Sequence, residues 1–252
     1  MPFNAWFTLI VASSLFTWQH HLLDVVTGAM LGQICTFAFP GWHEHVLVRS
    51  ASANFRVARL FAVGSAVLGI MAIALGSWFW LLVWPASSLA LIAIAYLRGN
   101  SSVFRKSGGS LPISTRVVLG PYLFGAYVRL LIYRRRGEPW VEAAPGVFCG
   151  RLLTKREALA VRSRGVTGVL DLTAEHPETR AFFEIEYLNV PVLDLTSPSR
   201  EQFDVAVAFI ADHADGGGVY VHCALGISRS VAAVAAYIDR GKRNQARFRR
   251  LS

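Results

Sequence analysis

The sequence predicts an α-helical membrane domain followed by an α/β domain with a central sheet flanked by helices, and two observations carry that expectation. The first is an uncharged apolar run of 38 residues between Arg59 and Arg98, where a single span needs about 20. The second is a change of texture at Gly137, after which short apolar runs alternate with helical patterns, as in α/β folds. Charge divides the chain at the same place. Residues 1–136 hold 11 Lys/Arg against Asp24 and Glu44, whereas 137–252 hold 14 basic and 14 acidic residues, so the whole net charge of +9 lies in the apolar half. With 54% hydrophobic and 16% charged residues and a mean hydropathy of +0.42, against about 25% charged in soluble domains, a purely cytosolic globule is not expected. Arg residues in loops between spans account for the surplus, and no nucleic-acid partner is expected.

The chain divides into a multi-span membrane domain (1–110), an interfacial segment and basic linker (111–136) and the α/β domain (137–252). The apolar run fits two helices joined by a tight turn near Gly76 and Ser77. Arg49, Arg56 and Arg59 flank it on one side and Arg98, Arg105 and Lys106 on the other. The positive-inside rule then puts both ends in the cytoplasm, with Trp78, Trp80 and Trp84 near the outer interface. Leu22 to Pro40 is a third span and Pro2 to Trp18 a fourth. No basic region or small-residue cleavage pattern marks a removable signal peptide. In Leu111 to Tyr133, Arg116 and Arg129 leave 12 uncharged residues between them, too few to span, so an interfacial or buried segment is expected before Arg134, Arg135 and Arg136.

His20 and Asp24 lie one helical turn apart at the start of the third span. Asp24 is either an interfacial cap favoured by the helix dipole or the orienter of an imidazole for proton transfer or attack on phosphorus. The string SSLFTWQHHLLDVVTG resembles the last of the three motifs of type 2 phosphatidic acid phosphatases, with Ser13, His20 and Asp24 on matching positions. Ser14 stands where that pattern has a phosphate-binding Arg, and the two earlier motifs have no counterpart, so this half is a partial domain with no catalytic role. His43, Glu44 and His45 read as a solvated loop, because two close ligands need partners the sequence does not supply.

In the second half, Val166 to Leu172, Tyr187 to Leu193 and Val219 to His222 read as strands, the second an edge or bulged strand because of Pro191. Lys155 to Arg164, Glu201 to His213 and Ser230 to Arg240 read as helices. Gly216 to Gly218 is a turn. Cys35, Cys149 and Cys223 form no disulfide framework or metal motif, and a reducing compartment suits the second half. The loop Cys223-Ala224-Leu225-Gly226-Ile227-Ser228-Arg229-Ser230 joins a strand to a helix. Cys and Arg at that spacing are a weak signal alone, but the context is restrictive. Gly226 permits backbone angles closed to other residues, and the loop's N–H groups with the helix N-terminus make a cradle for a phosphate dianion. Arg229 adds a planar fork for two phosphate oxygens. A thiol at the centre of that field should ionise below the free value of about 8.5.

This arrangement points to attack of Cys223 on phosphorus and hydrolysis of the resulting cysteinyl-phosphate. Ser230 is placed to hydrogen-bond the departing thiolate, and His222 to fix the loop from behind. The leaving oxygen needs a proton, and Asp194, followed by Leu-Thr-Ser-Pro-Ser, is the candidate acid on a movable loop. Asp171 competes, but within a predicted strand its expected role is structural. HCALGISRS (His222 to Ser230), preceded by GVFCGRLL, GVTGVLDLTAE and NVPVLDLTSPS, resembles the dual-specificity branch of the cysteine-dependent protein tyrosine phosphatases over roughly residues 145 to 240. The resemblance implies nucleophile Cys223, phosphate-binding Arg229, general acid Asp194, no metal and no cofactor. The two halves together resemble bacterial proteins that fuse a phosphatidic-acid-phosphatase-like membrane domain to this phosphatase, which implies an inner-membrane protein with a cytoplasmic catalytic domain.

The expected activity is therefore a membrane-anchored phosphomonoesterase in contact with membrane lipid. Ala224, Leu225 and Ile227 lack the extra cation that would favour a polyphosphorylated inositol, which leans towards phosphoprotein, whereas the anchor leans towards a phospholipid headgroup. A catalytically inactive membrane or interaction module is the alternative, since only the stretch from Ala224 to Ser252 follows Cys223 where the family continues with further helices. A lipid phosphate phosphatase using His20 and Asp24 is a third reading. The closing string RGKRNQARFRRLS carries six basic side chains, suited to anionic lipid or to a frayed end.

Overall fold

The computed structural model describes residues 9, 10, 13, 22–39, 53–135 and 137–248. Helix α1 (Leu22–Ala38) is followed by the long apolar pair α2 (Phe55–Leu75) and α3 (Val83–Arg98). Gly76, at φ +57, and a short 3-10 turn over Ser77–Leu82 reverse the chain between them, near the expected turn. The two helices run antiparallel: Asn54 N donates to Tyr96 O at one end, and the Ser65 hydroxyl donates to Ala86 O further along. Only Ala58 and Ala72 of α2 are buried, while Leu60, Val67, Ile70, Ile73, Trp78 and Trp80 are exposed. Both Phe55–Leu75 and Trp78–Arg98 are long and apolar enough to cross a membrane. Helix α1 has 17 residues, at the short end of spanning length. Arg105 donates to Thr36 O and Phe37 O and caps its carbonyl end. The expected span Pro2 to Trp18 is described at residues 9, 10 and 13, and His20, His43, Glu44 and His45 lie outside the described residues.

The segment expected to be interfacial or buried forms two helices, α4 (Ile113–Val118) and α5 (Gly120–Arg134). Leu119 and Leu130 are buried, and Phe124, Leu131 and Ile132 are exposed. The Trp84 indole N–H donates to Val117 O, tying the start of α3 to this segment.

The second half holds a five-stranded sheet of β1 (Trp140–Ala144), β2 (Val147–Arg151), β3 (Gly168–Thr173), β4 (Glu186–Val192) and β5 (Val219–Cys223), in the order β1-β2-β5-β3-β4. The β1–β2 hairpin is antiparallel and every other pair parallel. The three expected strands are present with ends shifted by one or two residues. The edge position of β4 and a register irregularity against Asp171–Thr173 accommodate Pro191, as its missing N–H requires. Helix α6 (Lys155–Arg162) starts at a capping box of Thr154 and Glu157, and α7 (Arg200–Ala214) at one of Ser199 and Gln202, each satisfying otherwise orphaned N–H groups. Helix α8 (Arg229–Phe248) continues past the expected end at Arg240, since a helix nucleated against the sheet propagates into sequence with weak periodicity. The hairpin β1–β2 was not expected as strands.

One apolar cluster joins β2, β3, β4 and β5 to α7 and α8, and another fills the opposite face beneath α6. A third crosses the expected boundary at residue 137, where Ala174 and Leu193 pack with Ala58, Ile92, Tyr96, Phe104, Leu111 and Leu119. Polar contacts cross it as well. Glu178 N donates to Gly109 O, Ser101 Oγ to Pro191 O and Arg134 Nη2 to Leu152 O. Lys106, its side chain 1% exposed, pairs with the fully buried Asp171 and donates to Thr173 O and Oγ1. Asp171 also accepts from Thr173 N and Oγ1 and from the Tyr187 hydroxyl, the structural role expected of it.

Burial alone would raise the Asp171 carboxyl, but Lys106, His222 and the donated hydrogen bonds lower it to about 2. A depressed acid stabilises the fold above its unfolded value near 4, and that contribution is lost as pH falls towards 2. Lys106→Ala leaves Asp171 buried without its cation and is expected to destabilise the chain by about 3–5 kcal/mol at pH 7, read as a lowered unfolding midpoint in detergent solution.

Candidate active site

Strand β5, buried over its whole length, delivers Cys223 to the C-terminal edge of the sheet between β2 and β3. Connections there diverge to either side, the usual place for a ligand crevice in parallel sheets. Leu152 N donates to Ala224 O and anchors the loop that follows. Gly226 adopts φ +74, and a Cβ there would stand 2.7 Å from the carbonyl carbon of Gly150, so the turn requires glycine. The Gly226 N–H points at the Cys223 sulfur at 3.3 Å, and Ser230 Oγ lies 3.4 Å from it. Leu225 is half-buried, while Ile227 and Ser228 are exposed at the rim.

Arg229 is the first residue of α8 and is 1% exposed. Glu175 holds it through two parallel bonds, Nη1 to Oε2 at 3.1 Å and Nη2 to Oε1 at 2.7 Å. Nη1 also donates to Val192 O at 2.8 Å and Leu172 O at 3.4 Å. Nε is buried and has no partner among the described residues. The guanidinium is thus fixed along one edge and retains a donor for an anion. Burial would raise the Glu175 carboxyl, but Arg229 lowers it to about 2.

Burial also favours the neutral Cys223 thiol. The charge of Arg229, the Ser230 hydroxyl and the N–H groups of Ser230 and Gly226 outweigh it, and the thiol is held below its ordinary value. His222 is fully buried, with Nε2 2.7 Å from Glu178 Oε2 and 3.9 Å from Asp171 Oδ1. Desolvation pushes the imidazole down, but those two carboxylates raise it overall. Asp171, Glu178 and His222 bring ligand atoms within 4.8 Å of one another, but Lys106 already provides the cation there.

Asp194 follows β4 and places Oδ1 3.3 Å from Arg229 Nη2, while Oδ2 pairs with Arg129. The structure thus sets Ser230 against Cys223 and Asp194 against Arg229, with His222 the residue before Cys223 on β5. Asp24 lies in α1, and its expected partner His20 is outside the described residues. Four residues near the site were not anticipated: Glu175, Glu178, Lys106 and Arg129. Lys106 carried a signal, as the one lysine anywhere before Gly137. Glu175 carried another, as an acid just past the C-terminal end of a buried strand.

Residues 154–247 match the family model for the dual specificity phosphatase catalytic domain. Dual specificity protein phosphatase 12 of mouse is 37% identical over 102 residues, covering 39% of this chain and 30% of that protein, so the chain spans about a third of its length. Dual specificity protein phosphatase 26 of mouse is 30% identical over 178 residues, covering 65% of this chain and 78% of that protein. Among solved structures, Tk-PTP in its active form is 27% identical over 41% of this chain and 74% of that one, at a TM-score of 0.38.

A thiol held below its ordinary value keeps its thiolate to lower pH. Alkylation of Cys223 by iodoacetamide is expected to reach half-maximal rate below the free value of about 8.5. Ser230→Ala should move that midpoint upward by about one unit, the worth of one hydrogen bond to a charged group. A pH–rate curve for each protein, read at Cys223 by mass spectrometry, checks this.

Proposed function

The chain belongs to the dual-specificity phosphatase family, and on that premise we propose that it is a membrane-anchored phosphomonoesterase that works through a cysteinyl-phosphate intermediate. The observation that carries this reading is a depressed thiol beside a guanidinium whose Nε has no partner among the described residues. The phosphate dianion sits in the Ala224–Arg229 loop, bound by backbone N–H groups and by Arg229. Cys223 attacks phosphorus, the S–P bond forms as the ester P–O bond breaks, and Asp194 gives its proton to the leaving oxygen. Water then attacks the cysteinyl-phosphate and passes a proton to Asp194. Inorganic phosphate departs and the thiolate returns, stabilised by Ser230 and by Gly226 N–H. Electrostatic preorganisation of this kind avoids reorganisation during reaction.

The substrate in this reading is a phosphorylated protein. Ala224, Leu225 and Ile227 supply no second cation for a polyphosphorylated headgroup, and relatives named as protein phosphatases agree with it. Membrane anchoring is supported by two helices of spanning length whose apolar faces are exposed, more apolar surface than a soluble monomer leaves bare. Exposed Arg56, Arg59 and Arg98 at the ends of that pair favour a cytoplasmic location for the catalytic half, consistent with the inner membrane of a bacterium. The partial lipid-phosphatase motif around His20 and Asp24 takes no part.

In the detergent-solubilised full chain, Cys223→Ser is expected to abolish hydrolysis of an aryl phosphate and His20→Ala to leave it unchanged. Asp194→Asn should lower kcat on a phosphotyrosine peptide by about 10²–10³-fold, the scale of general acid catalysis. Activity surviving Cys223→Ser overturns the mechanism. A higher kcat/KM for phosphatidylglycerophosphate or a phosphoinositide than for the peptide overturns the substrate assignment.

A further inference from the structure

Contacts from the helical half concentrate on one short stretch of the catalytic half, the chain that leaves β4 and carries Asp194. Ser101 Oγ donates to Pro191 O at 2.9 Å. Leu193, 1% exposed, packs among Ile92, Tyr96 and Leu119. Arg129 on α5 pairs with Asp194 Oδ2, and Asn54 Nδ2 donates to Leu195 O at 2.7 Å. The same Asn54 caps α2, its Oδ1 accepting from Val57 N, so its amide is fixed at both ends.

Leu195 needs such support. Its φ of +56 is unusual for a residue with a branched side chain, and that side chain is 58% exposed, so its own packing does not hold the backbone there. Within the loop, Thr196 N and Oγ1 both donate to Leu193 O, which closes the turn but leaves the Asp194 side chain to be oriented by others. Arg129 and Arg229 orient it, one on each carboxylate oxygen. The residues matched by the family model begin at 154 and include neither Asn54 nor Arg129.

We propose that the helical half positions the proton donor, with Asn54 and Arg129 as positioning residues that hold the segment Leu193 to Leu195 so that Asp194 stands beside Arg229. The proposal rests on Asp194 being the general acid of the reaction described above. It makes the helices part of the catalytic unit and not merely an anchor, because proton delivery depends on the seating of α2 and α5 against this loop.

Leaving-group dependence distinguishes positioning of the acid from general support of the fold. Dinitrophenolate departs without a proton, whereas phenolate needs one, so a displaced acid penalises phenyl phosphate selectively. In the full chain in mild detergent, Asn54→Ala and Arg129→Gln should each lower the ratio of kcat/KM for phenyl phosphate to kcat/KM for 2,4-dinitrophenyl phosphate, a quantity set by the steps up to departure of the phenol, by about tenfold, with Arg129→Lys recovering part of it, since small displacements of a catalytic group are costly. Combined with Asp194→Asn, neither should reduce kcat/KM for phenyl phosphate further, as expected of residues acting as one unit. The ratio is read on the folded fraction, so lowered stability does not obscure it. An unchanged or raised ratio, an equal loss on both esters, or an additive loss on top of Asp194→Asn overturns the proposal. Activity in Cys223→Ser would instead bring down the phosphatase reading itself.

Discussion

A fully buried guanidinium is the constraint around which the catalytic half is arranged. Removing an ion from water is unfavourable by several kcal/mol even after relaxation, so Arg229 persists inside only because its partners are close and well directed. Those partners come from separate places: Leu172 O at the end of β3, Glu175 in the loop beyond it, Val192 O at the end of β4 and Asp194 just after. Satisfying one side chain therefore draws the C-terminal ends of two strands and the start of α8 to a single point. Because Glu175 occupies the Nη1–Nη2 edge, Nε is left for the crevice. The same charge, together with the Ser230 hydroxyl and the N–H groups of Ser230 and Gly226, outweighs the burial of the Cys223 thiol. In the proposed mechanism, phosphate binding and thiol activation both draw on this one buried cation.

A second buried cation lies behind the first. Lys106 reaches from the helical half to Asp171, which borders His222, the residue before the nucleophile candidate. The catalytic loop is thereby backed by charges from both halves of the chain. Several basic residues that read as topology signals in the sequence are engaged by protein groups in the structure: Arg105 by the end of α1, Lys106 by Asp171, Arg129 by Asp194 and Arg134 by Leu152 O. Arg56, Arg59, Arg98, Arg116 and Arg135 remain exposed, and in the membrane-anchored reading proposed above these are the described basic residues of this half free to act as topology signals.

What could be read from the sequence was what is local. The loop Cys223 to Ser230 is one contiguous segment between a buried strand and a helix, and each structural requirement, including glycine at 226, falls inside that window. The two apolar helices, α6 and α7 were legible because period and capping residues are likewise local. Lys106 with Asp171 and Arg129 with Asp194 are pairs far apart in the chain, and such pairs leave no periodic trace. Glu175, equally remote from Arg229 along the sequence, is a charged residue in a loop until the fold places it. The hairpin β1–β2 was missed for a different reason. Strand β2 is buried at every position and β1 is mostly exposed, so neither shows the alternation that marks a half-buried strand.

The neutrality of residues 137–252 illustrates how composition can mislead about units of structure. Fourteen acids balance fourteen basic residues there, yet Asp171 draws its counter-charge from Lys106 and Asp194 shares one with Arg129. Apolar surface follows the same pattern, since Ala174 and Leu193 are buried by residues of the helical half. A tethered domain would keep its buried charges and its apolar surface to itself, with contacts across its boundary resembling a polar, separable interface. Here a buried ion pair and a continuous apolar cluster cross residue 137. The electrostatic and packing unit that supports the site therefore extends back at least to Asn54, well before the point at which net charge and sequence texture change.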